Sequence, residues 1–309
     1  MAERSDIRVL VTGGTGFIGG ACVRRLAGAT CELHAVSRSA RGPGLPNVIR
    51  HAVDLLDPQA LQRLVAEVRP THLLHAAWIA TPGIYLESAE NLAWLEAGTA
   101  LARSFGEAGG SRFVGVGTCA EYDWSQDVFI EDVTPLAPHS LYGRCKVSMW
   151  NELQACGRRH GFSTAWSRIF SPYGPGDARE RLVFSVIDAL RNGKTIEISE
   201  GLQQRDFIHV DDVADLLVHL LFSAARGAFN AGSGEGTSIR TLVTMLATEL
   251  DRIANVRFGA RPPNPHEPHR LVADTSKLHA RLGWKARIPL QEGLASCLSA
   301  PDISISGRA

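Results

Sequence analysis

Residues 7–19 read IRVLVTGGTGFIG, and this stretch decides the fold class of the chain. The apolar run Ile7–Thr12 is typical of a buried strand, and Phe17–Ala27 has the pattern of a helix. Glycines between them allow a tight turn, a close approach of the backbone to a pyrophosphate, and close packing of helix on strand. The helix N-terminus offers free N–H groups to phosphate. The stretch therefore predicts a dinucleotide site that includes Gly13, Gly16, Phe17, Ile18 and Gly19.

Strand-like and helix-like segments alternate through the first half of the chain. The further predicted strands are Cys31–Val36, Val48–Val53, Thr71–Ala76, Arg112–Val116 and Ser163–Ile169, and the further predicted helices are Pro58–Val68, Ser88–Ala108 and Ser140–Arg159. This alternation indicates βαβ units and a parallel sheet with helices on both faces. The predicted fold is α/β, a Rossmann-type doubly wound parallel sheet with a smaller C-terminal α/β substrate lobe.

The rhythm of the sequence changes after Phe170, which predicts the domain organisation. Proline and glycine cluster at Ser171–Gly176, and shorter elements follow. We expect an NAD(P)-binding domain over residues 1–170, to which a segment around 205–235 returns. A substrate-binding lobe is expected over residues 171–300, and a loose tail over 301–309.

Composition limits the partners of the chain. The formal net charge is zero over 309 residues, so bulk attraction to nucleic acid or to an anionic membrane is not implied. No stretch is apolar enough to predict a membrane span, and the N-terminus lacks the apolar region of a signal peptide. The six cysteines form no CxxC pair, which is typical of reduced thiols. We therefore expect a cytoplasmic protein that binds neither nucleic acid nor membrane.

The end of the second predicted strand bears on the choice of coenzyme. A carboxylate there would hold the ribose hydroxyls of NAD, but the chain reads Val36-Ser37-Arg38-Ser39. Because a guanidinium can pair with a 2′-phosphate, Arg38 favours NADP over NAD, although it can equally be a solvated loop residue. Asp54 and Leu55 are placed to meet the adenine, or Asp54 caps the next helix. Ala76 and Ala77, after the fourth strand, are expected to line the coenzyme crevice.

Tyr142 and Lys146 are four residues apart in a predicted helix, so their side chains share one face. A nearby ammonium stabilises a phenolate and would bring the tyrosine pKa, ordinarily near 10, toward neutrality. Such a phenol can exchange a proton with a carbonyl/alcohol couple while hydride moves to or from a nicotinamide. Thr118, at the end of an earlier strand, carries a hydroxyl that can bind the same substrate oxygen.

These motifs, in this order, resemble the extended short-chain dehydrogenase/reductases, and more closely the NAD-dependent epimerase/dehydratase group that acts on nucleotide sugars. The resemblance spans about residues 7 to 295. It continues in residues 168–176, which are similar to that group's Tyr-Gly-Pro motif, and in residues 203–214, which are similar to its RDF-x-x-V-D-D-V-A signature. Residues 229–234 are similar to its late glycine turn, and residues 274–277 with 282–284 are similar to the end of its substrate lobe.

The resemblance implies roles for individual residues. Tyr142 would be the general acid/base, Lys146 would lower its pKa and anchor the ribose, and Thr118 would bind the substrate oxygen. Arg205 and Arg261 would hold the nucleotide diphosphate, although Arg261 can also be a solvated loop charge. Candidate substrate contacts are Trp78, Thr81, Cys119 and Ser171. Of these, Trp78 and Thr81 follow the fourth strand and can shape the sugar pocket or simply pack a loop.

The sequence departs from the resemblance at two places. The group's 4,6-dehydratases carry an Asp-Glu pair directly after the threonine, where this chain has Cys119 and Ala120. Elimination of water needs that additional acid and base, so dehydratase activity is not expected. Ser171 stands where the group usually has an asparagine. The motif His266-Glu267-Pro268-His269 contains a proline that would prevent a ligand-aligning helix, so no metal is predicted.

Three functions remain open at this point. A nucleotide-sugar 4-ketoreductase, reducing a 4-keto-6-deoxy sugar nucleotide, fits the missing dehydratase pair and the basic end of the second strand. A nucleotide-sugar 4-epimerase with tightly bound NAD is the alternative, and a non-catalytic dinucleotide-binding sensor is the third. The resemblance also implies a homodimer formed through the helices near 88–108 and 140–159, whose apolar residues would equally suit packing on the sheet.

Overall fold

Parallel strands form the main sheet of the computed structural model, which describes residues 6–39, 42, 44–264 and 267–300. In chain order the strands are β1 (Arg8–Thr12), β2 (Glu32–Ser37), β3 (Val48–Ala52), β4 (His72–His75), β5 (Arg112–Thr118), β6 (Ser163–Ile169), β7 (Ser171–Tyr173), β8 (Ile196–Glu197), β9 (Gln204–Arg205), β10 (Phe207–His209), β11 (Gly227–Ala231), β12 (Thr237–Ser238), β13 (Val256–Arg257) and β14 (Arg270–Leu271).

The helices lie between single strands or groups of strands. They are α1 (Phe17–Leu26), α2 (Pro58–Val68), α3 (Glu90–Glu107), α4 (Leu141–His160), α5 (Leu182–Arg191), α6 (Val210–Phe222), α7 (Ile239–Glu249), α8 (Ser276–Leu282) and α9 (Leu290–Ser299). A 3₁₀ turn at Cys119–Glu121 follows β5 directly. Among the residues that the structure describes, no helix combines the length and the apolar character that crossing a membrane would require.

The main sheet has the strand order β11-β6-β5-β4-β1-β2-β3, with every neighbouring pair parallel. Most of its strands are largely apolar because helices cover both faces, whereas the edge strand β3 is more exposed. One buried cluster joins the sheet to α1 and α6, and the other joins it to α2, α3 and α4. The predicted Rossmann-type doubly wound sheet is therefore confirmed. Because the strand order reverses between β1 and β4, a crevice opens at the carboxyl ends of these strands.

A third buried cluster lies among α5, α7 and α9. Small sheets accompany it: β7 with β10, β9 between β12 and β14, and β8 with β13. The chain returns to the main sheet at β11, between these small sheets in sequence. The domain limits drawn from the sequence stay a prediction, and the expected tail at 301–309 lies outside the described residues.

β5 extends two residues beyond the predicted strand Arg112–Val116, as far as Thr118. Glycine is required at positions 115 and 117, because a Cβ at Gly115 or Gly117 would overlap the Trp166 ring on neighbouring β6. Glycine ordinarily weakens a strand, but here it leaves space for a fully buried indole. The added length carries Thr118 to the carboxyl edge of the sheet, where the crevice lies.

Candidate active site

The glycine turn between β1 and α1 has the shape that a phosphate cradle requires. Gly13 has φ +69°, and a Cβ on it would lie 2.9 Å from the Ala77 nitrogen. A Cβ on Gly19 would overlap the Gly13 carbonyl oxygen. Gly16 caps α1 without any side-chain hydrogen bond, so the first N–H groups of the helix, at Phe17, Ile18 and Gly19, face outward from its N-terminus. These features fit the pyrophosphate of a dinucleotide.

β4 meets the glycine turn across the crevice. The N–H groups of Ala76 and Ala77 each donate to the Thr12 hydroxyl at 3.2 Å, and Thr12 also contacts His75 Nδ1 at 2.8 Å. Thr12 and His75 are buried. The predicted crevice residues Ala76 and Ala77 therefore lie against Gly13, at the place where a coenzyme held by the turn would run.

The residues predicted to meet the adenosine lie on loops that follow β2 and β3. Arg38 is exposed directly after β2, and the Ser37 hydroxyl donates to the Ser39 carbonyl at 2.6 Å. Asp54 accepts from the Leu56 N–H at 3.0 Å, whereas Asp57 caps α2. Leu55 is buried. Asp54 thus orders its own turn and does not cap the helix. The exposed position of Arg38 fits both a contact with a 2′-phosphate and a solvated loop residue.

α4 brings Tyr142 and Lys146 to the end of β5. Ser140 caps the helix by accepting from the Gly143 N–H at 3.1 Å. A Cβ on Gly143 would overlap the Ala120 carbonyl oxygen, so glycine is what lets the helix touch the 3₁₀ turn after Thr118. The Thr118 side chain lies close enough to the Tyr142 phenol to act on its pKa. The three predicted catalytic residues are therefore brought together at the carboxyl edge of the sheet.

The electrostatics of the Tyr142–Lys146 pair differ from the sequence prediction. Burial raises the pKa of Tyr142 above its ordinary value, with the Tyr85 ring packed edge-on against it at 5.0 Å between centroids. Lys146 Nζ lies 5.8 Å from the centroid of the Tyr142 ring and donates to the Val116 carbonyl at 2.8 Å. Burial also lowers the pKa of Lys146 to about 7. The expected lowering of the Tyr142 pKa is wrong for this state, because burial outweighs an ammonium that points elsewhere.

Glu121 holds Thr118 in place, and sequence reasoning missed it. Its carboxylate is fully buried and accepts from the Thr118 N–H at 2.9 Å, the Trp166 indole N–H at 2.9 Å and Arg168 Nε at 2.7 Å. The Thr118 hydroxyl in turn accepts from the Ala120 N–H at 3.2 Å. This is a capping box, and the pattern Thr118-x-x-Glu121 was the signal that could have revealed it.

The predicted substrate residues lie in separate segments of the chain. Cys119 is buried directly after Thr118, and burial raises the pKa of its thiol to about 12. Ser171, in β7, donates its N–H to the Asp206 carbonyl at 3.0 Å. Thr81 is exposed, and its carbonyl accepts from the Tyr85 N–H. The Trp78 ring covers Lys146 Nζ at 3.8 Å, so Trp78 contacts the lysine of the catalytic helix.

The two arginines predicted to hold a diphosphate have different surroundings. Arg205 is nearly buried in β9 and pairs with Glu267 at 2.5 Å, while it also donates to the carbonyls of Gln204 and Pro268. Arg261 is exposed, and its N–H donates to the Ile198 carbonyl. Their shared role in holding a diphosphate stays a prediction.

In the described part of the chain, no three side chains of histidine, cysteine, aspartate or glutamate lie close enough together to hold an ion. Glu267 is engaged by Arg205, and His266 lies outside the described residues.

Comparison with known proteins places the chain in a family. Residues 9–232 match the model of the NAD dependent epimerase/dehydratase family. The chain belongs to this family. It is thus an enzyme of the extended short-chain dehydrogenase/reductase type, as its motifs predict. The phosphate cradle and the Thr118, Tyr142 and Lys146 cluster occupy the matched region.

Relatives within the epimerase/dehydratase family differ in the reactions that their names state. The chain is 26% identical to UDP-glucuronic acid decarboxylase 1 of Arabidopsis thaliana, over 96% of this chain and 70% of the relative. It is 27% identical to a UDP-glucose 4-epimerase of Azospirillum brasilense, over 93% of this chain and 89% of that protein. The solved UDP-glucose 4-epimerase of Thermus thermophilus in complex with NAD is 27% identical, with a TM-score of 0.83 over 94% of this chain and 98% of that one.

Proposed function

We propose that the protein is an NAD(P)-dependent oxidoreductase that moves hydride at C4 of a nucleotide-activated sugar, most simply as a 4-ketoreductase acting on a 4-keto-6-deoxy sugar nucleotide. The observation that supports it is the cluster of Thr118, Tyr142 and Lys146 beside the glycine turn. A chain of contacts joins the two features, since Gly13 lies against Ala77 and the neighbouring Trp78 covers Lys146.

The proposed roles follow from which groups can hold or move a proton. Tyr142 donates its phenolic proton to the sugar carbonyl oxygen, and Thr118 positions that oxygen by a hydrogen bond. Lys146 holds the coenzyme ribose and stabilises the phenolate that forms. The glycine turn, with Gly13 and Gly16, would hold the coenzyme pyrophosphate. The bound nicotinamide supplies the hydride. A raised pKa keeps Tyr142 protonated before the reaction, which suits a proton donor in the reducing direction.

Elimination chemistry has no acid/base pair in this site. Cys119 and Ala120 occupy the two positions after Thr118, and the thiol is buried with a raised pKa. Glu121 is the nearest carboxylate in sequence, but it faces Arg168 and Trp166 instead of the crevice. The site therefore supports oxidation of a carbinol to a carbonyl, or reduction of a carbonyl to a carbinol, without loss of water.

A 4-epimerase is the second candidate, and the comparisons are what favour it. Relatives named as UDP-glucose 4-epimerases align over nearly the whole chain. The same three residues would serve both candidates, because an epimerase oxidises and re-reduces one carbon. The candidates differ in whether the coenzyme is consumed.

The choice of coenzyme belongs to this proposal as well. The lack of a carboxylate at the end of β2, with Arg38 in its place, favours NADP. The solved relative holds NAD, which gives the NADP preference no support. Turnover with NADPH and with NADH at equal concentrations decides the question. A strong preference for NADH would exclude Arg38 as a ligand of the coenzyme.

On the substrate side, we propose that Arg205 and Arg261 bind the nucleotide diphosphate and that Cys119, Ser171 and Thr81 border the sugar. A diphosphate at Arg205 would compete with Glu267, which now occupies that guanidinium. Substituting Arg205 by methionine should therefore raise KM for the nucleotide sugar more than it lowers kcat.

The test uses purified protein with a panel of nucleotide sugars and both reduced coenzymes. A 4-ketoreductase consumes one reduced coenzyme for each keto sugar converted. A 4-epimerase interconverts two nucleotide sugars with no net change in coenzyme absorbance. Absence of both activities across uridine and thymidine diphosphate sugars would contradict the proposal.

A further inference from the structure

Trp78 makes an unusual contact with the lysine of the site. Lys146 is 2% exposed, and its Nζ lies 3.8 Å from the centroid of the Trp78 ring. On its other side, Nζ donates to the Val116 carbonyl at 2.8 Å. A buried ammonium needs compensation for the water it has lost. The face of an indole supplies part of that compensation, because it carries the negative end of the ring quadrupole.

Asn91 fixes the orientation of the indole. Its side-chain oxygen accepts from the Trp78 indole N–H at 2.8 Å. Its amide nitrogen donates to the carbonyls of Tyr85 at 2.6 Å and Ser88 at 2.8 Å, and the residue is fully buried. Every hydrogen-bonding position of this side chain but one is thereby used. The ring face that Trp78 presents to Lys146 is therefore set by a dedicated partner.

The segment that carries Trp78 also contacts Tyr142, the other member of the catalytic pair. The Tyr85 ring packs against the Tyr142 ring, and the Leu86 carbonyl accepts from the Tyr142 N–H at 2.9 Å. Because Asn91 ties Trp78 to Tyr85, the contact with Lys146 and the contact with Tyr142 belong to one locked unit.

We propose that Trp78 is a positioning residue for Lys146. The face of the Trp78 indole holds the lysine side chain as an ammonium on the coenzyme side of the crevice. Trp78 thereby acts on the catalytic pair rather than as a wall of the sugar pocket. The catalytic consequence of this inference rests on the proposed function, but the contact itself does not.

Other charged and titratable groups face Lys146 from each packed element. Glu121, after β5, is negative and favours the ammonium, but it is already paired with Arg168. His75, in β4, is neutral at physiological pH because burial and Lys146 lower its pKa to about 3. Cys145 and Tyr142, on α4, have raised pKa values and are neutral. Trp78 is uncharged, so replacing it alters the stability of the ammonium without changing the net charge of the site.

The test measures the protonation of Lys146 directly. The chain has four lysines, Lys146, Lys194, Lys277 and Lys285, so protein labelled with ¹³C at lysine Cε gives few resonances. The Lys146 resonance is assigned by its loss in Lys146→Arg. Its pH titration is compared in the wild type, in Trp78→Phe, which keeps an aromatic face, and in Trp78→Leu, which is close to Phe in volume and has none.

We expect the acid dissociation constant of Lys146 to rise by about tenfold in Trp78→Leu relative to Trp78→Phe. Trp78→Met serves as a second aliphatic variant if the leucine variant does not fold, because an unbranched side chain adapts to irregular space. Far-UV circular dichroism and thermal unfolding establish that each variant is folded. Equal dissociation constants in the aromatic and aliphatic variants would overturn the proposal.

Kinetics provide the second readout. With less ammonium at neutral pH, the alkaline limb of kcat/KM should move to lower pH in Trp78→Leu and return toward the wild-type position in Trp78→Phe. A purely structural defect would lower the rate by the same factor at every pH, and that result would overturn the positioning role. If the wild type reduces or epimerises no nucleotide sugar, the proposed function fails, and the lysine titration alone decides the role of Trp78.

Discussion

At the scale of single residues, Glu121 makes the sharpest stability prediction. It forms a buried ion pair with Arg168, in which neither side chain is more than 3% exposed. Glu121→Gln leaves the guanidinium without its counter-charge, so the free energy of unfolding should fall by about 3–5 kcal/mol. Urea denaturation measures this change. The double variant Glu121→Leu/Arg168→Leu is the control, since removing both charges should cost less, and a loss of under about 1 kcal/mol in Glu121→Gln would contradict the assignment.

Asp177 predicts a pH dependence of stability. Burial raises the pKa of its carboxyl to about 6, and its side chain is 5% exposed beside Arg181. Because the folded-state pKa lies above the unfolded value, the folded protein binds this proton more tightly. Stability from this group is therefore fully present below the unfolded pKa and is lost as pH rises through the folded pKa. Asp177→Asn should raise the free energy of unfolding at pH 8 by up to about 3 kcal/mol and have little effect at pH 4.

Urea denaturation at pH 8 and at pH 4 checks the effect of Asp177→Asn. A variant that is less stable than the wild type at pH 8, or one whose gain does not depend on pH, would contradict the burial argument.

Individual site residues were predictable from the sequence to different degrees. The spacing of Tyr142 and Lys146 indicated a shared helix face, because a four-residue interval spans about one helical turn. The direction of the Tyr142 pKa was not predictable, since it depends on how much water the packed Tyr85 ring excludes. The contact between Trp78 and Lys146 joins residues that are far apart in the sequence, and local sequence carries no signal for it.

At the scale of elements, the junction of β1 and α1 predicts opposite effects for neighbouring glycines. A Cβ on Gly19 would overlap the Gly13 carbonyl, whereas a Cβ on Gly20 would meet no atom closer than 3.7 Å. Gly19→Ala should displace the helix from the turn and weaken NADH or NADPH binding at least about tenfold. Gly20→Ala should keep binding and stabilise the protein by roughly 0.5–1 kcal/mol, as alanine does in a helix interior.

Fluorescence titration with each reduced coenzyme, together with thermal unfolding, measures both glycine variants. If Gly19→Ala bound coenzyme like the wild type, the close approach of helix and turn would not be needed for the cradle.

The long elements of the first half of the chain were predictable, and the two-residue strands of the second half were not. The strands of the main sheet are largely apolar runs because helices cover both faces, and the sequence from Ile7 to Ile169 carries that pattern. By contrast, β8, β9, β12, β13 and β14 each have two residues, too few to show a period. They form where tertiary packing brings distant segments together, as when β9 lies between β12 and β14.

At the scale of the whole molecule, α3 and α4 predict a homodimer. They pack against each other, and Leu92 on α3 is 50% exposed. Leu92→Arg should convert a dimer to a monomer in sedimentation velocity, because a charge would be buried at the interface. Ile253→Arg is the matched control, since Ile253 is 52% exposed and lies far along the chain in the 3₁₀ turn after α7. A wild-type monomer, or a dimeric Leu92→Arg, would contradict the prediction.

The central claim is that Tyr142 exchanges a proton with substrate beside a coenzyme held by the glycine turn. The most direct test is the single-turnover rate of coenzyme oxidation by Tyr142→Phe with a 4-keto sugar nucleotide, alongside coenzyme affinity by fluorescence. The account predicts that the rate falls at least about 100-fold while coenzyme affinity changes less than about threefold. An unchanged rate in a folded, coenzyme-binding Tyr142→Phe would contradict it and would favour a dinucleotide-binding protein without catalysis at this site.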